Sequence, residues 1–248
     1  MSLEGRVALV TGAAAGLGRS VALHYARAGA RVVVSDINDE KGEETVRLIG
    51  DERGTAAYTH ADSSSLEDNE ALVRFAVETY GRLDVACNNA GIAPPSTPLA
   101  DVSGELWRKI MAIDLDGVFY AIRAQIPAML DSGGGTIVNM ASILGQVGFP
   151  GMGPYVAAKH ALVGLTKQIA VDYGAKGIRA VAIGPAFIKT GLEDALDEKS
   201  RAELDTLHPV GRMGEPEEIG AVVAAASDPS WSFVNGAYLP VDGGYLSR

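Results

Sequence analysis

Val7-Ala8-Leu9-Val10-Thr11-Gly12-Ala13-Ala14-Ala15-Gly16-Leu17-Gly18 is the stretch whose reading decides the fold. Its first four residues form a continuous apolar run, without the alternation of a half-exposed strand, and so predict a parallel strand buried on both faces. The glycine-rich turn leads into a helical pattern over residues 19–28, closed by Gly29. A glycine turn between strand and helix lets a diphosphate approach the backbone and rest at the positive end of the helix. A second apolar run, residues 31–35, ends at Asp36, 18 residues after Gly18. That spacing sets an acid beside an adenosine ribose, where a carboxylate accepts from both hydroxyls and repels a 2′-phosphate, favouring NAD over NADP. Asp36 is equally placed to cap the next helix, a task that Asn38 or Asp39 serves as well.

The same alternation continues. Residues 55–60 read as a third strand with Asp62 beyond it, residues 66–80 as an amphipathic helix, and residues 83–87 as a fourth strand running into Asn88-Asn89-Ala90-Gly91. That polar turn at a strand's carboxyl end is where open α/β sheets bind ligands. A long helical stretch covers residues 105–130, with Pro127 marking a bend or an end. Strands follow at 136–138, 178–183 and 237–241, and helices from about 154 to 174 and 215 to 226. Strands separated by helical patterns predict right-handed parallel crossovers. The expectation is an α/β, Rossmann-like, doubly wound parallel sheet of about seven strands with helices on both faces. It forms a single domain over residues 1–248, with the polar segment 186–212 as a substrate lid.

Composition limits what such a domain does. The 248 residues are 47% hydrophobic, enough for a large core, and no Pro/Ser-rich linker or charge block divides them. With 31 acidic against 21 basic residues the net charge is -10, which argues against nucleic-acid or anionic-membrane partners. The single cysteine, Cys87, lies in an apolar run and is expected buried and inert. No basic leader or membrane-length apolar run is evident, so the chain is read as cytoplasmic.

Residues 133–167 carry the chemistry. The strand delivers Ser142 at its far end, and Tyr155 and Lys159 follow four residues apart in an Ala-rich helical segment. Residues at i and i+4 share a helix face, so phenol and ammonium lie within electrostatic reach. Tyrosine ordinarily keeps its proton to about pH 10; a fixed cation favours the phenolate and fits it for acid/base work near neutrality. Ser142 is placed to hydrogen-bond the same substrate oxygen. Alone, such a pair is more often surface packing than chemistry, and the surrounding motifs decide.

Thr11-Gly-x-x-x-Gly16-x-Gly18, Asn88-Asn-Ala-Gly91, Ser142, Tyr155-x-x-x-Lys159 and Val241-Asp-Gly-Gly244 stand in the order of the short-chain dehydrogenase/reductases, which the chain resembles over essentially its whole length. The resemblance implies Tyr155 as acid/base, Ser142 as the group orienting the substrate oxygen, and Lys159 as the residue that activates the tyrosine and holds the nicotinamide ribose. It implies NAD as cofactor, held by Gly12, Ala15, Gly16, Leu17, Gly18, Asp36, Ile37, Asp62, Asn88, Ala90, Tyr155, Lys159, Pro185, Ile188 and Thr190. No metal is implied. Two positions depart from the pattern. Asp114 replaces the usual catalytic asparagine, and an ionised carboxylate only accepts hydrogen bonds; near Lys159 it raises the pH at which the tyrosine works. Pro185-Ala186 replaces Pro-Gly and adds a methyl to the pocket.

Residues expected to face substrate, among them Ile143, Leu144, Gln146, Val147, Phe149, Ala186, Phe187 and Leu192, are mostly apolar and offer no paired arginines. A neutral, fairly hydrophobic secondary alcohol or ketone is the expected substrate. The segments Met-Ala-Ser-Ile-Leu-Gly and Ala-Phe-Ile-Lys-Thr resemble the family's bacterial secondary-alcohol dehydrogenases. The rival enzyme is a 3-oxoacyl-carrier-protein reductase, against which the acidic lid and Asp36 argue. A rival of another class is a non-catalytic nucleotide-binding scaffold or sensor. The resemblance also implies a homotetramer or dimer, formed through the helices at 105–130 and 154–174.

Overall fold

The β-branched and small apolar residues of the inner runs leave no polar face, and the structure buries both sides of the central strands. The runs at the two edges of the sheet, residues 55–60 and 237–241, are only partly covered. The computed structural model describes residues 2–191 and 197–247. Strands β1 (Val7–Thr11), β2 (Arg31–Asp36), β3 (Thr55–His60), β4 (Val85–Asn88), β5 (Gly135–Met140), β6 (Ile178–Pro185) and β7 (Ala237–Val241) lie side by side in the order β3-β2-β1-β4-β5-β6-β7. Every pairing is parallel. Successive side chains of β1 and β2 enter opposite layers: Ala8, Val10, Val32 and Val34 face one core, Leu9 and Val33 the other.

Helices α1 (Gly16–Arg27), α2 (Asp39–Asp51) and α8 (Pro216–Ser227) supply the first layer through Val21, Tyr25, Ile49 and Val223. The second comes from α3 (Leu66–Tyr80), α5 (Gly117–Asp131) and α6 (Gly153–Tyr173), through Leu72, Ile122, Met129 and Leu162. Cys87 is free and buried, and burial pushes its thiol up to about 12. Helix α7 (Glu198–Thr206), within the expected lid, buries no side chain.

Two local expectations change. The helix expected over 105–130 is α4 (Gly104–Met111) joined to α5 through one wide π-type turn, Ala112–Asp116. Pro127 neither ends it nor breaks it; it lies inside α5, which runs on to Asp131.

At the sheet's other end Asp84 locks the strand starts. Its carboxylate accepts from the Val7 N–H at 2.9 Å, from Arg6 at 2.8 Å and from Arg82 at 2.6 Å.

Candidate active site

The strand order reverses direction between β1 and β4, and a doubly wound sheet opens its ligand crevice at that switch point, outside the carboxyl ends of the strands. Gly12 has φ +64°, and a Cβ there would lie 2.9 Å from Ala90 Cα; one at Gly18 would lie 2.1 Å from Gly12 O. Glycine is therefore required on both counts, conformation and contact. The N-cap of α1, Ala15, makes no side-chain cap and the first turn carries no acid. Its main-chain N–H groups are left to an anion such as a diphosphate.

The carboxylate of Asp36 accepts from the Ala14 N–H at 3.0 Å and the Asn38 N–H at 3.0 Å, so it faces the glycine turn. Asn38 caps α2, accepting from the Lys41 N–H at 3.1 Å, which relieves Asp36 of that duty. Ile37, beside it, is exposed. The Thr190 Cβ lies 3.4 Å from where a Gly16 Cβ would stand, so the segment after β6 covers the turn. Ile188 pairs with Gly214 as an isolated bridge. Asp62 closes its own turn, accepting from the Ser64 N–H and hydroxyl. Turn, helix terminus and carboxylate together fit a dinucleotide.

The Asn88-Asn89-Ala90-Gly91 turn divides its work. Asn88 ends β4 with its side chain directed inward, donating to Asn139 Oδ1 at 3.0 Å and accepting from Gln125 at 2.7 Å. Asn139 in turn donates to Thr166 at 2.9 Å. The side chain that grips the glycine turn is Asn89, donating to Thr11 O at 2.9 Å and Gly12 O at 3.1 Å. Thr11 Oγ1 accepts the Asn89 and Ala90 N–H groups. The Asn-Asn pair was visible in the sequence; which of the two reached the turn depended on where β4 ends.

Ser142 stands where β5 gives way to a 3₁₀ turn, its Oγ accepting the Leu144 N–H at 3.1 Å and its carbonyl accepting the Tyr238 hydroxyl at 3.0 Å. Among the described residues its O–H proton has no acceptor, so it is available to a ligand. Tyr155 and Lys159 occupy the first turns of α6, where Pro154 sits at a permitted position. The Lys159 Nζ lies 5.2 Å from the Tyr155 ring centroid and donates to Met140 O at 3.0 Å. Lys159 is thereby fixed between helix and strand, a buried cation beside the phenol.

Asp114 belongs to the same cluster. It is 0% exposed; Oδ1 accepts the Ile92 N–H at 2.8 Å, and Oδ2, 3.8 Å from Lys159 Nζ, makes no hydrogen bond among the described residues. Burial holds its carboxyl above the usual carboxylate range, against the opposing pull of Lys159 and the Ile92 N–H.

Of the expected substrate residues, Phe149 and Phe187 meet edge to face at 5.7 Å. Ile143 and Leu144 are buried, so they underpin the pocket and offer it little surface, while Gln146 is exposed. Leu192 lies outside the described residues. His208 and Tyr245, which the sequence did not single out, contact Phe187. A groove of about 640 Å³ between α3 and α5, lined by Glu70, Arg74, Arg82 and Asp131 among others, contains none of these groups.

The fold and the site define a dinucleotide-dependent oxidoreductase. A family model described as enoyl-(acyl carrier protein) reductase matches residues 12–246. Cyclohexanol dehydrogenase of Acinetobacter sp. is 45% identical over 243 residues, 98% of this chain and 96% of that one. The 2,5-dichloro-2,5-cyclohexadiene-1,4-diol dehydrogenase of Sphingobium indicum is 44% identical over 250 residues, 99% and 98% of the two chains. A solved gluconate 5-dehydrogenase of Burkholderia cenocepacia, in complex with NADP and tartrate, superposes with a TM-score of 0.94 at 33% identity, over 100% of this chain and 97% of that one. The chain belongs to the short-chain dehydrogenase/reductase family, and it is an oxidoreductase that interconverts secondary alcohols and ketones.

Proposed function

We propose that this protein uses NAD to interconvert a neutral, fairly hydrophobic secondary alcohol, alicyclic in the first instance, and its ketone. The observation that carries the reading is the Ser142, Tyr155 and Lys159 cluster at the carboxyl edge of the sheet. The alicyclic preference takes its support from the two cyclohexane- and cyclohexadiene-alcohol dehydrogenases among the relatives. A nicotinamide dinucleotide of either form suits the turn, and a solved relative carries NADP. Asp36 favours NAD, because its carboxylate would stand against a 2′-phosphate.

When bound, the cofactor accepts or returns the hydride. Tyr155 takes the hydroxyl proton of the alcohol as its C–H hydrogen leaves, and returns it in the reverse direction. Ser142, its Oγ already accepting the Leu144 N–H, donates its hydroxyl proton to the same substrate oxygen. Lys159 holds positive charge beside the phenol and favours the oxygen's negative form. Residues 186–212 serve as the lid, and the chain works as one cytoplasmic domain assembled into a homotetramer or dimer.

The test is to supply NAD or NADP with cyclohexanol or hexan-2-ol and follow the appearance of reduced nicotinamide. NAD is expected to give the higher kcat/KM, and Tyr155→Phe to lower kcat by about 10²–10⁴-fold. Turnover confined to 3-oxoacyl thioesters with NADPH would transfer the assignment to the carrier-protein reductase. Cofactor binding with no turnover of either class would leave a nucleotide-binding scaffold.

A further inference from the structure

The sequence motif that the chemistry above leaves unused is Val241-Asp242-Gly243-Gly244, which precedes the chain's final residues. Its carboxylate closes a turn, accepting the Gly244 and Leu246 N–H groups at 2.9 Å each. The end of the lid docks on that turn. The Val210 N–H donates to Gly243 O at 3.2 Å, and a Cβ on Gly243 would fall 2.7 Å from Val210 Cγ2. One on Gly244 would fall 3.1 Å from Pro209. The two glycines are flat because His208-Pro209-Val210 lies across them.

This docking builds an aromatic cluster from four separate segments. The His208 ring stands at 90° to Phe187 at 5.9 Å, and Tyr245 packs on both, at 6.2 Å from Phe187 and 5.9 Å from His208. Phe149 closes the other side of Phe187. His208, 3% exposed, is held at both nitrogens: Leu204 O takes a bond from Nδ1 at 2.9 Å, and Nε2 accepts the Phe187 N–H at 3.4 Å. Because a carbonyl only accepts, the proton resides on Nδ1 and Nε2 is the acceptor. Phe149 follows Ser142 after β5 and Phe187 follows β6, adjacent strands, so the cluster and Ser142 are both carried by segments leaving the carboxyl ends of neighbouring strands.

We propose that Tyr245 is a specificity-determining residue, the outer wall of an aromatic box with Phe187 and Phe149 that selects a saturated ring, and that His208 is the positioning residue that sets Phe187. Aromatic faces and edges bury a compact ring over its whole outline, whereas a short chain touches one wall. The inference rests on the alcohol dehydrogenase reading above and names the part of the site that discriminates.

The experiment compares the parent with Tyr245→Ala, Tyr245→Phe and His208→Gln. It measures kcat and KM for cyclohexanol and propan-2-ol, and the thermal shift that cyclohexanone induces in the cofactor-loaded protein. Tyr245→Ala is expected to lower the cyclohexanol-to-propan-2-ol ratio of kcat/KM roughly tenfold, through KM, within the range one apolar pocket contact discriminates. It should also reduce the thermal shift at a fixed cyclohexanone concentration, so that about tenfold more ligand is needed to restore it. Tyr245→Phe, which keeps the ring, should match the parent in both, and His208→Gln should fall between. An unchanged ratio and shift in Tyr245→Ala, or equal losses on both alcohols through kcat, overturns the inference while leaving the oxidoreductase reading in place. A parent that neither oxidises nor binds either alicyclic compound overturns both. If Tyr245→Ala fails to fold, Tyr245→Leu takes its place under the same expectations.

Discussion

At the residue scale Asp114 is the position where this chain departs furthest from the pattern its other motifs follow. A family asparagine offers a donor and an acceptor, whereas this carboxyl has one oxygen on the Ile92 N–H and the other buried without a bond among the described residues. Burial raises its folded-state pKa above the unfolded value near 4. The folded protein therefore keeps that proton longer than the unfolded chain does. The stability linked to it is complete below about pH 4 and is lost as pH rises through the folded-state value. Asp114→Asn removes the titration, so the Tm advantage of the variant over the parent is expected to grow from about pH 4 upward and then level off. A parent that gains on the variant over that range would show that the ionised carboxylate is favourable. The same substitution removes whatever negative charge reaches Lys159, and should move the acid limb of the pH-rate profile to lower pH; superimposable profiles would sink that expectation. Tyr155 and Lys159 were legible because four residues along a helix fix their relation. The cluster of Phe187, His208 and Tyr245 was not, because a contact among distant loops leaves no local spacing to read.

At the element scale the strands and helices were legible in order and type because each buried strand is a short apolar run and most of the helices between them carry a helical pattern of buried residues. The wide turn at Ala112–Asp116 was not, since it is one extra residue inside a pattern that stays helical on either side. The end read at Pro127 gave way for a related reason: a proline inside a long helix is tolerated when burial of its neighbours, here Ile126 and Met129, outweighs one lost hydrogen bond. The role of Asp84 was likewise hidden, because Arg6 and Val7 reach it from the start of another strand, 78 and 77 residues away in sequence. Arg6 and Arg82 hold its carboxyl below the usual range despite burial, together with the Val7 N–H. A depressed folded-state pKa gives stability that is present above about pH 4 and lost as pH falls through the folded-state value. Asp84→Ala is expected to lower unfolding free energy by about 2–3 kcal/mol at neutral pH, as charge-assisted bonds joining β1 to β4 disappear. That difference should shrink in acid, where the parent loses the same bonds. Urea titrations at pH 7 and pH 3 measure it, and an equal penalty at both would assign the cost to packing.

At the scale of the whole molecule, three large apolar side chains stand exposed on the helices of one layer. Trp107 on α4 is 39% exposed, Phe119 on α5 48% and Val171 on α6 79%. Single exposed apolar residues are ordinary, and the proposed assembly assigns these three, on the layer of helices that also carries Tyr155 and Lys159, to a contact with a second copy. The proposed homotetramer or dimer buries that surface, and since α6 positions both Tyr155 and Lys159, assembly would steady the helix on which the chemistry depends. No described helix is long and apolar enough to cross a membrane. Phe119→Asp sets a charge at the centre of the contact, and removing a buried carboxylate from water without a partner is costly. Light scattering on the parent is expected to give a mass of two or four chains, and on Phe119→Asp a smaller one, with Tm reduced and dependent on protein concentration. A parent that elutes as one chain at micromolar concentration would remove the assembly from the proposal. The reading of Ser142, Tyr155 and Lys159 would stand unaltered, because each of their contacts lies within one chain.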